Sequence, residues 1–185
     1  MSKTVGKEWY QIRLLGGEPT IHPKFTEIVD ILSGYTTSTG TIFTCVTNGL
    51  RPDILKQVEG KILIENTHKK SKEIDVFDYF NLAPIDDVEF DGVDYSNGCL
   101  VPQMCGFGLT PYGFYPCGVS GNIDRLLGFD IGRKEIPTDD MREIMAKCCR
   151  YCGHFKTEGK FIVEFQEGFI PKKYSNTWIE IFNNY

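Results

Sequence analysis

Five of the seven cysteines in this 185-residue chain fall into two groups. Cys99, Cys105 and Cys117 share one stretch, and Cys149 and Cys152 form a Cys-Arg-Tyr-Cys pair further on. A two-residue spacing lets one tight turn present both thiolates to a common centre. Two such groups that meet in space make a four-sulfur cage for a metal ion or an iron–sulfur cluster. Cys117 follows Tyr112-Gly113-Phe114-Tyr115-Pro116, where Gly113 reads as a hairpin turn that sets Cys117 on the returning strand. The fourth ligand is Cys99 or Cys105, and spacing does not choose between them. Four thiolates suit tetrahedral zinc and a [4Fe–4S] cluster alike. Cys148 lies on the apolar face of a predicted helix and Cys45 lies mid-strand, so both are expected in the core. His154, two residues past Cys152, is expected to hydrogen-bond beside the site or at the surface rather than to ligate.

A second group is Leu14-Leu15-Gly16-Gly17-Glu18-Pro19-Thr20, at the C-terminal end of a predicted strand. In α/β proteins ligands bind at that edge. Paired glycines let the backbone approach a ligand, and Glu18 offers a carboxylate to an ammonium group. A proline-containing turn accounts for the same residues without a ligand.

These groups need elements to position them. Trp9 to Leu15 reads as a strand, and a helix is expected from Pro23 with Phe25, Ile28, Val29 and Leu32 on one face, ending at Gly34. Thr41 to Val46 is a second strand, Pro52 to Val58 a short helix, and Lys61 to Asn66 a third strand. Its near-continuous Ile62-Leu63-Ile64 suits a parallel sheet buried on both faces. Three βα units in a row imply an α/β layer. Asp86 to Val93 is expected to be another strand. From Gly98 to Gly132 the chain is rich in Gly, Pro and Cys and reads as loops with short hairpin strands. A helix is expected from an N-cap at Thr138, with Met141, Ile144, Met145 and Cys148 on one face. Lys160 to Phe165 and Trp178 to Phe182 read as strands.

The composition is that of a protein with a real core: 41% hydrophobic and 13% aromatic residues. The net charge of −5 and scattered Lys and Arg lack the basic cluster of a nucleic-acid footprint. The one basic run, His68-Lys69-Lys70-Ser71-Lys72, reads as a solvated loop. No apolar run reaches the roughly 18 residues of a membrane span, and the first residues have no apolar leader. Neither nucleic acid nor membrane is expected as a partner. The protein is expected in the cytoplasm, where thiols stay reduced and serve as ligands rather than disulfides. Gly106-Phe107-Gly108 lacks the strand–helix context of a phosphate-binding loop, which argues against another α/β reductase or transferase class.

Leu15-Gly16-Gly17-Glu18-Pro19-Thr20-Ile21-His22-Pro23 resembles the segment of radical S-adenosylmethionine (SAM) enzymes whose Gly-Gly-Glu turn holds the SAM amino group. Thr47-Asn48-Gly49 and Glu65-Asn66 are similar to loops that follow later strands in that superfamily. Cys99, Gly113, Cys117, Cys149 and Cys152 follow the order of its twitch/SPASM appendage, which binds an auxiliary [4Fe–4S] cluster, and Cys105 matches a further ligand of related appendages. Three residues separate Gly113 from Cys117, where the family usually has four. The superfamily's Cys-x-x-x-Cys-x-x-Cys loop, which binds the SAM-cleaving cluster, is missing from the sequence.

The resemblance implies an N-terminally truncated protein of this kind: a partial (β/α) barrel over residues 1–85, then a small Cys-rich hairpin-plus-helix domain over 86–185. It implies an auxiliary [4Fe–4S] cluster on Cys99, Cys117, Cys149 and Cys152, with Cys105 as the rival to one of them or a fifth member. It also implies a SAM site at Gly16, Gly17, Glu18, Pro19, Asn48 and Asn66, and a chain that does not cleave SAM alone. A separate chain supplying the missing first strand, or self-association, is expected at the open edge. The competing expectation is a zinc-stapled four-cysteine module with a structural or interaction role and no catalysis.

Overall fold

Residues 9–67, 82–157 and 174–185 are described in the computed structural model, and they are mixed α/β. The chain falls into two units, Lys3–Glu73 and a second comprising Met1–Ser2 with Ile74–Tyr185.

In the first unit, β1 (Gln11–Leu14), β2 (Ile42–Thr47) and β3 (Leu63–Asn66) form a parallel sheet in the order β1-β2-β3. The register pairs Leu14 with Cys45 and Thr47 with Asn66, so the C-terminal ends of the three strands lie along one edge. Helices α1 (Phe25–Thr39) and α2 (Pro52–Gln57) are the crossovers. Phe25, Val29 and Leu32 pack on Phe43, Cys45, Val58 and Ile62, as the helical spacing predicts.

Three expectations need correction here. α1 begins at Phe25 rather than Pro23, and it runs through Gly34 to a left-handed Gly40. The helix continues to buried Thr36 despite the ~1 kcal/mol that a helical glycine costs. The third strand is not buried on both faces: β3 is the sheet's edge, and Leu63 and Ile64 are exposed.

The second unit carries 3-10 turns at Pro84–Asp86, Val88–Phe90 and Tyr95–Asn97, then α3 (Val101–Cys105). An antiparallel hairpin of β4 (Gly108–Thr110) and β5 (Gly113–Tyr115) follows, then α4 (Gly118–Leu127) and α5 (Arg142–Cys148). Further 3-10 turns at Cys149–Tyr151 and Gly153–Thr157 precede α6 (Asn176–Asn184). Its core holds Tyr115, Ile123, Met141, Ile144, Cys148, Cys152 and Trp178. Buried Asp124 of α4 accepts hydrogen bonds from the Tyr115 hydroxyl and the Ile131 N–H, fastening helix to hairpin.

Asp86 to Val93 is not a strand. The Asp87 carboxylate accepts from Glu89 N–H at 3.1 Å, and this local cap favours 3-10 turns over an extended chain. Trp178 to Phe182 is helix, because Trp178 and Ile181, three residues apart, both reach the core. The helix expected from Thr138 starts at Arg142, since Asp139 is drawn to Arg133 and caps Met141 N–H instead. The face of Met141, Ile144, Met145 and Cys148 is nonetheless buried. The glycine-rich stretch also contains α3 and α4, where its composition predicts loops. The strand expected at Lys160 to Phe165 lies outside the described residues.

Two glycine substitutions test these readings in urea unfolding. Gly34→Ala, with no atom within 4 Å of the added methyl, should stabilise the chain by about 1 kcal/mol. Gly113→Ala should destabilise by about 1–3 kcal/mol, because φ is +130° and the methyl would sit 2.5 Å from the Arg133 carbonyl oxygen.

Candidate metal centre

The cysteines near the centre arrive on three differently anchored pieces of chain. Cys99 follows the Tyr95–Asn97 turn, which Asp94 caps by accepting from Ser96 N–H at 2.9 Å. Arg142 of α5 donates to Ser96 Oγ (3.1 Å) and Asn97 Oδ1 (2.7 Å), tying this turn to the helix that leads to Cys149. Gly98, at φ +65°, passes under Met145 so closely that a methyl would lie 2.5 Å from the sulfur. Cys117 stands at the N-cap of α4, immediately after the hairpin, with its Sγ 3.2 Å from Ser120 Oγ. Cys149 ends α5 and opens the 3-10 turn, and Cys152 closes it with a 3.2 Å bond from its N–H to the Cys149 carbonyl.

Cys99, Cys117, Cys149 and Cys152 line one open-mouthed pocket. Cys148 and His154 border it too. Cys105, at the end of α3, is exposed and does not line it. Among the described residues, no three His, Cys, Asp or Glu side chains stand close enough together, as they are, to hold a metal ion.

The electrostatics fit thiols crowded into an apolar pocket. Burial pushes the Cys149 thiol well above its ordinary value, and neighbouring Cys117, Cys152, Cys99 and Cys148 add to the shift. Cys148 is pushed up to about 12, by burial first and then by Asp124 and Cys117. Its Sγ donates to the Ser120 carbonyl at 3.7 Å, and it is 1% exposed, the core residue that its helical position predicts. His154 is buried, with Nδ1 3.3 Å from Cys152 Sγ. It is therefore not a surface histidine. A bound cation reverses the sign of this setting, since coordination removes the thiol proton outright.

The second group gathers at the C-terminal edge of the parallel sheet. Glu18 follows β1 and Pro19 opens a 3-10 turn. Asn48 follows β2, and Asn66 ends β3. Glu18 Oε1 accepts from Thr20 N–H (3.1 Å), Thr20 Oγ1 (2.6 Å) and Thr47 Oγ1 (2.7 Å), and Oε2 accepts from Asn48 N–H (2.7 Å). Burial alone would raise this carboxyl, but these donors, Asn48 N–H foremost, hold it below its ordinary value. Asn48 Oδ1 accepts from Leu50 N–H at 2.9 Å. The Asn66 side chain occupies the space that a methyl on Gly49 would need. Gly16 and Gly17 have nothing within 4 Å of a methyl added at either, so the backbone there is open.

Comparison with known protein families, curated proteins and solved structures finds no match.

Sequence reasoning missed Ser120, Arg142 and the two threonines that hold Glu18. Thr20 and Thr47 were visible, since each adjoins a residue already singled out. Arg142 was not, because its partners lie 45 and 46 residues away.

A charge-removing test addresses Glu18. Its depressed folded value means it stabilises above the unfolded value of about 4.5, and that contribution disappears as pH falls through the lower folded value. Glu18→Gln should be less stable than wild type in urea at neutral pH, because an amide NH₂ would face the Asn48 N–H. The gap should close as the pH is taken below about 4.5 and on through the lower folded value. A gap that persists unchanged in acid would mean that the carboxylate's charge is not what holds this edge together.

Proposed function

We propose that the cysteine pocket binds an auxiliary [4Fe–4S] cluster through Cys99, Cys117, Cys149 and Cys152. The observation that carries this reading is four sulfurs from three separately anchored stretches of chain facing one pocket. Such a cluster, when bound, supplies a one-electron relay or an iron site that anchors a substrate. Cys149 and Cys152 would hold it from one turn, with Cys99 and Cys117 from two other stretches of chain. Cys105, exposed on α3, would take no part.

On the same reading the three parallel strands and their helices are part of a (β/α) barrel. The edge formed by Gly16, Gly17, Glu18, Pro19, Asn48 and Asn66 would receive the amino-acid end of SAM. Glu18 Oε1 already serves three donors, so Oε2, which accepts from Asn48 N–H, is the oxygen suited to an ammonium group. The sequence contains no Cys-x-x-x-Cys-x-x-Cys trio, so this chain would not cleave SAM by itself. A second chain, or another copy of this one, would pair at the sheet edge, in a reducing compartment such as the cytoplasm. No helix among the described residues is long and apolar enough to cross a membrane.

Anaerobic reconstitution with iron and sulfide tests the cluster. About four irons and four sulfides per chain are expected, with a brown charge-transfer absorption. Cys117→Ser or Cys149→Ser should cut iron content by more than half, and Cys105→Ser should leave it unchanged. A colourless protein with one zinc per chain and no sulfide would instead establish the structural four-cysteine module.

A further inference from the structure

We infer that Trp178 is a positioning residue for the Cys149–Cys152 turn, so that the C-terminal helix is part of the cysteine site. The inference rests on the reading of that turn as a ligand pair. Between the two cysteines lie only Arg150 and Tyr151, and both are tied down. The Tyr151 carbonyl accepts from Trp178 Nε1 at 2.7 Å. The Tyr151 ring lies 6.1 Å from that of Phe129, and the Arg150 guanidinium sits 5.4 Å over the Tyr95 ring.

A 3-10 turn of one cycle has one internal bond to hold it, here Cys152 N–H to the Cys149 carbonyl. Its remaining carbonyls need partners from elsewhere. Trp178 supplies one from a residue 27 positions further along the chain. The indole is 3% exposed and packs in the same core cluster as Cys148 and Cys152. An indole N–H is a donor only, so the direction of the bond is fixed.

The helix that carries Trp178 is itself anchored beside the cysteine turn. Asp86, from the 3-10 turn Pro84–Asp86, accepts from Thr177 N–H (3.0 Å) and Thr177 Oγ1 (2.7 Å), taking over the N-terminal capping that Ser175 does not provide within the helix. Ser175 Oγ instead accepts from Ala83 N–H at 2.9 Å. These bonds set the height at which the indole meets the Tyr151 carbonyl. The separation of Cys149 and Cys152 thus depends on a residue outside the cysteine-rich sequence.

The test uses the full-length, reduced, metal-free chain. Alkylation by iodoacetamide is followed at each cysteine by peptide mass spectrometry, with circular dichroism as a check on folding. Trp178→Phe keeps an aromatic ring and removes the N–H. It should speed alkylation of Cys149 and Cys152 about fivefold, the opening expected from one lost hydrogen bond, and leave Cys117 and Cys45 at wild-type rates. Ile181→Ala, on the same helix and core but without a bond to the turn, should change the Cys149 and Cys152 rates by less than about twofold. Thr177→Val, which loses one anchor to Asp86, should show the Trp178→Phe pattern more weakly and covers the case in which Trp178→Phe fails to fold. Equal acceleration at all cysteines, or none at Cys149 and Cys152, would overturn the inference. A wild-type chain that takes up no iron would overturn the cluster reading alone, since the alkylation pattern is measured without iron.

Discussion

A carboxylate survives in an apolar core only when donors surround it, and Asp124, 2% exposed, is the case on which the cysteine-bearing unit turns. Its two oxygens join α4 to the Tyr115 hydroxyl on the hairpin and to the Ile131 N–H on the outgoing loop. Burial first, and then this carboxylate, hold the Tyr115 hydroxyl far above its ordinary value, so it remains a donor. Cys117 sits between the two fastened parts, two residues after Tyr115 and immediately before α4. Its position is therefore inherited from a hydrogen bond that it does not make. The same core then receives α5 and the Cys149–Cys152 turn through Ile144, Cys148 and Cys152.

The two candidate sites are stabilised in opposite ways. At the sheet edge, a charged group is held by donors from its own and the next strand's loops, so its charge is welcome there. In the cysteine pocket, the Cys148 and Cys149 thiols are crowded by burial and by neighbouring groups, so their charged forms are disfavoured. The first site is complete as folded.

The local elements were legible where periodicity and burial agree. Phe25, Val29 and Leu32 announced α1, and Met141, Ile144, Met145 and Cys148 announced the buried face of α5. Cysteine spacing and one hairpin glycine singled out Cys117, Cys149 and Cys152, and these border one pocket. What stayed hidden depended on distant partners. The β3 apolar run looks like an interior strand, and only the order β1-β2-β3 makes it an edge. The span from Trp178 to Phe182 is rich in aromatic and β-branched residues and suits a strand locally. It becomes helix because Trp178 meets Tyr151 and Thr177 meets Asp86, pairings invisible at short range. Between Cys99 and Cys105, spacing was silent, and exposure separates them.

The close passage of Gly98 beneath Met145 carries a consequence for oxidative damage. A thioether oxidised to its sulfoxide gains a polar oxygen and a stereocentre. Here Met145 is 6% exposed, and its sulfur lies close against Gly98. The added atom would have to push the glycine aside, and Cys99 is the next residue along. A peroxide reacting at this methionine would thus disturb the sulfur-lined pocket without modifying any of its thiols, and a sulfoxide reductase acting there would restore it.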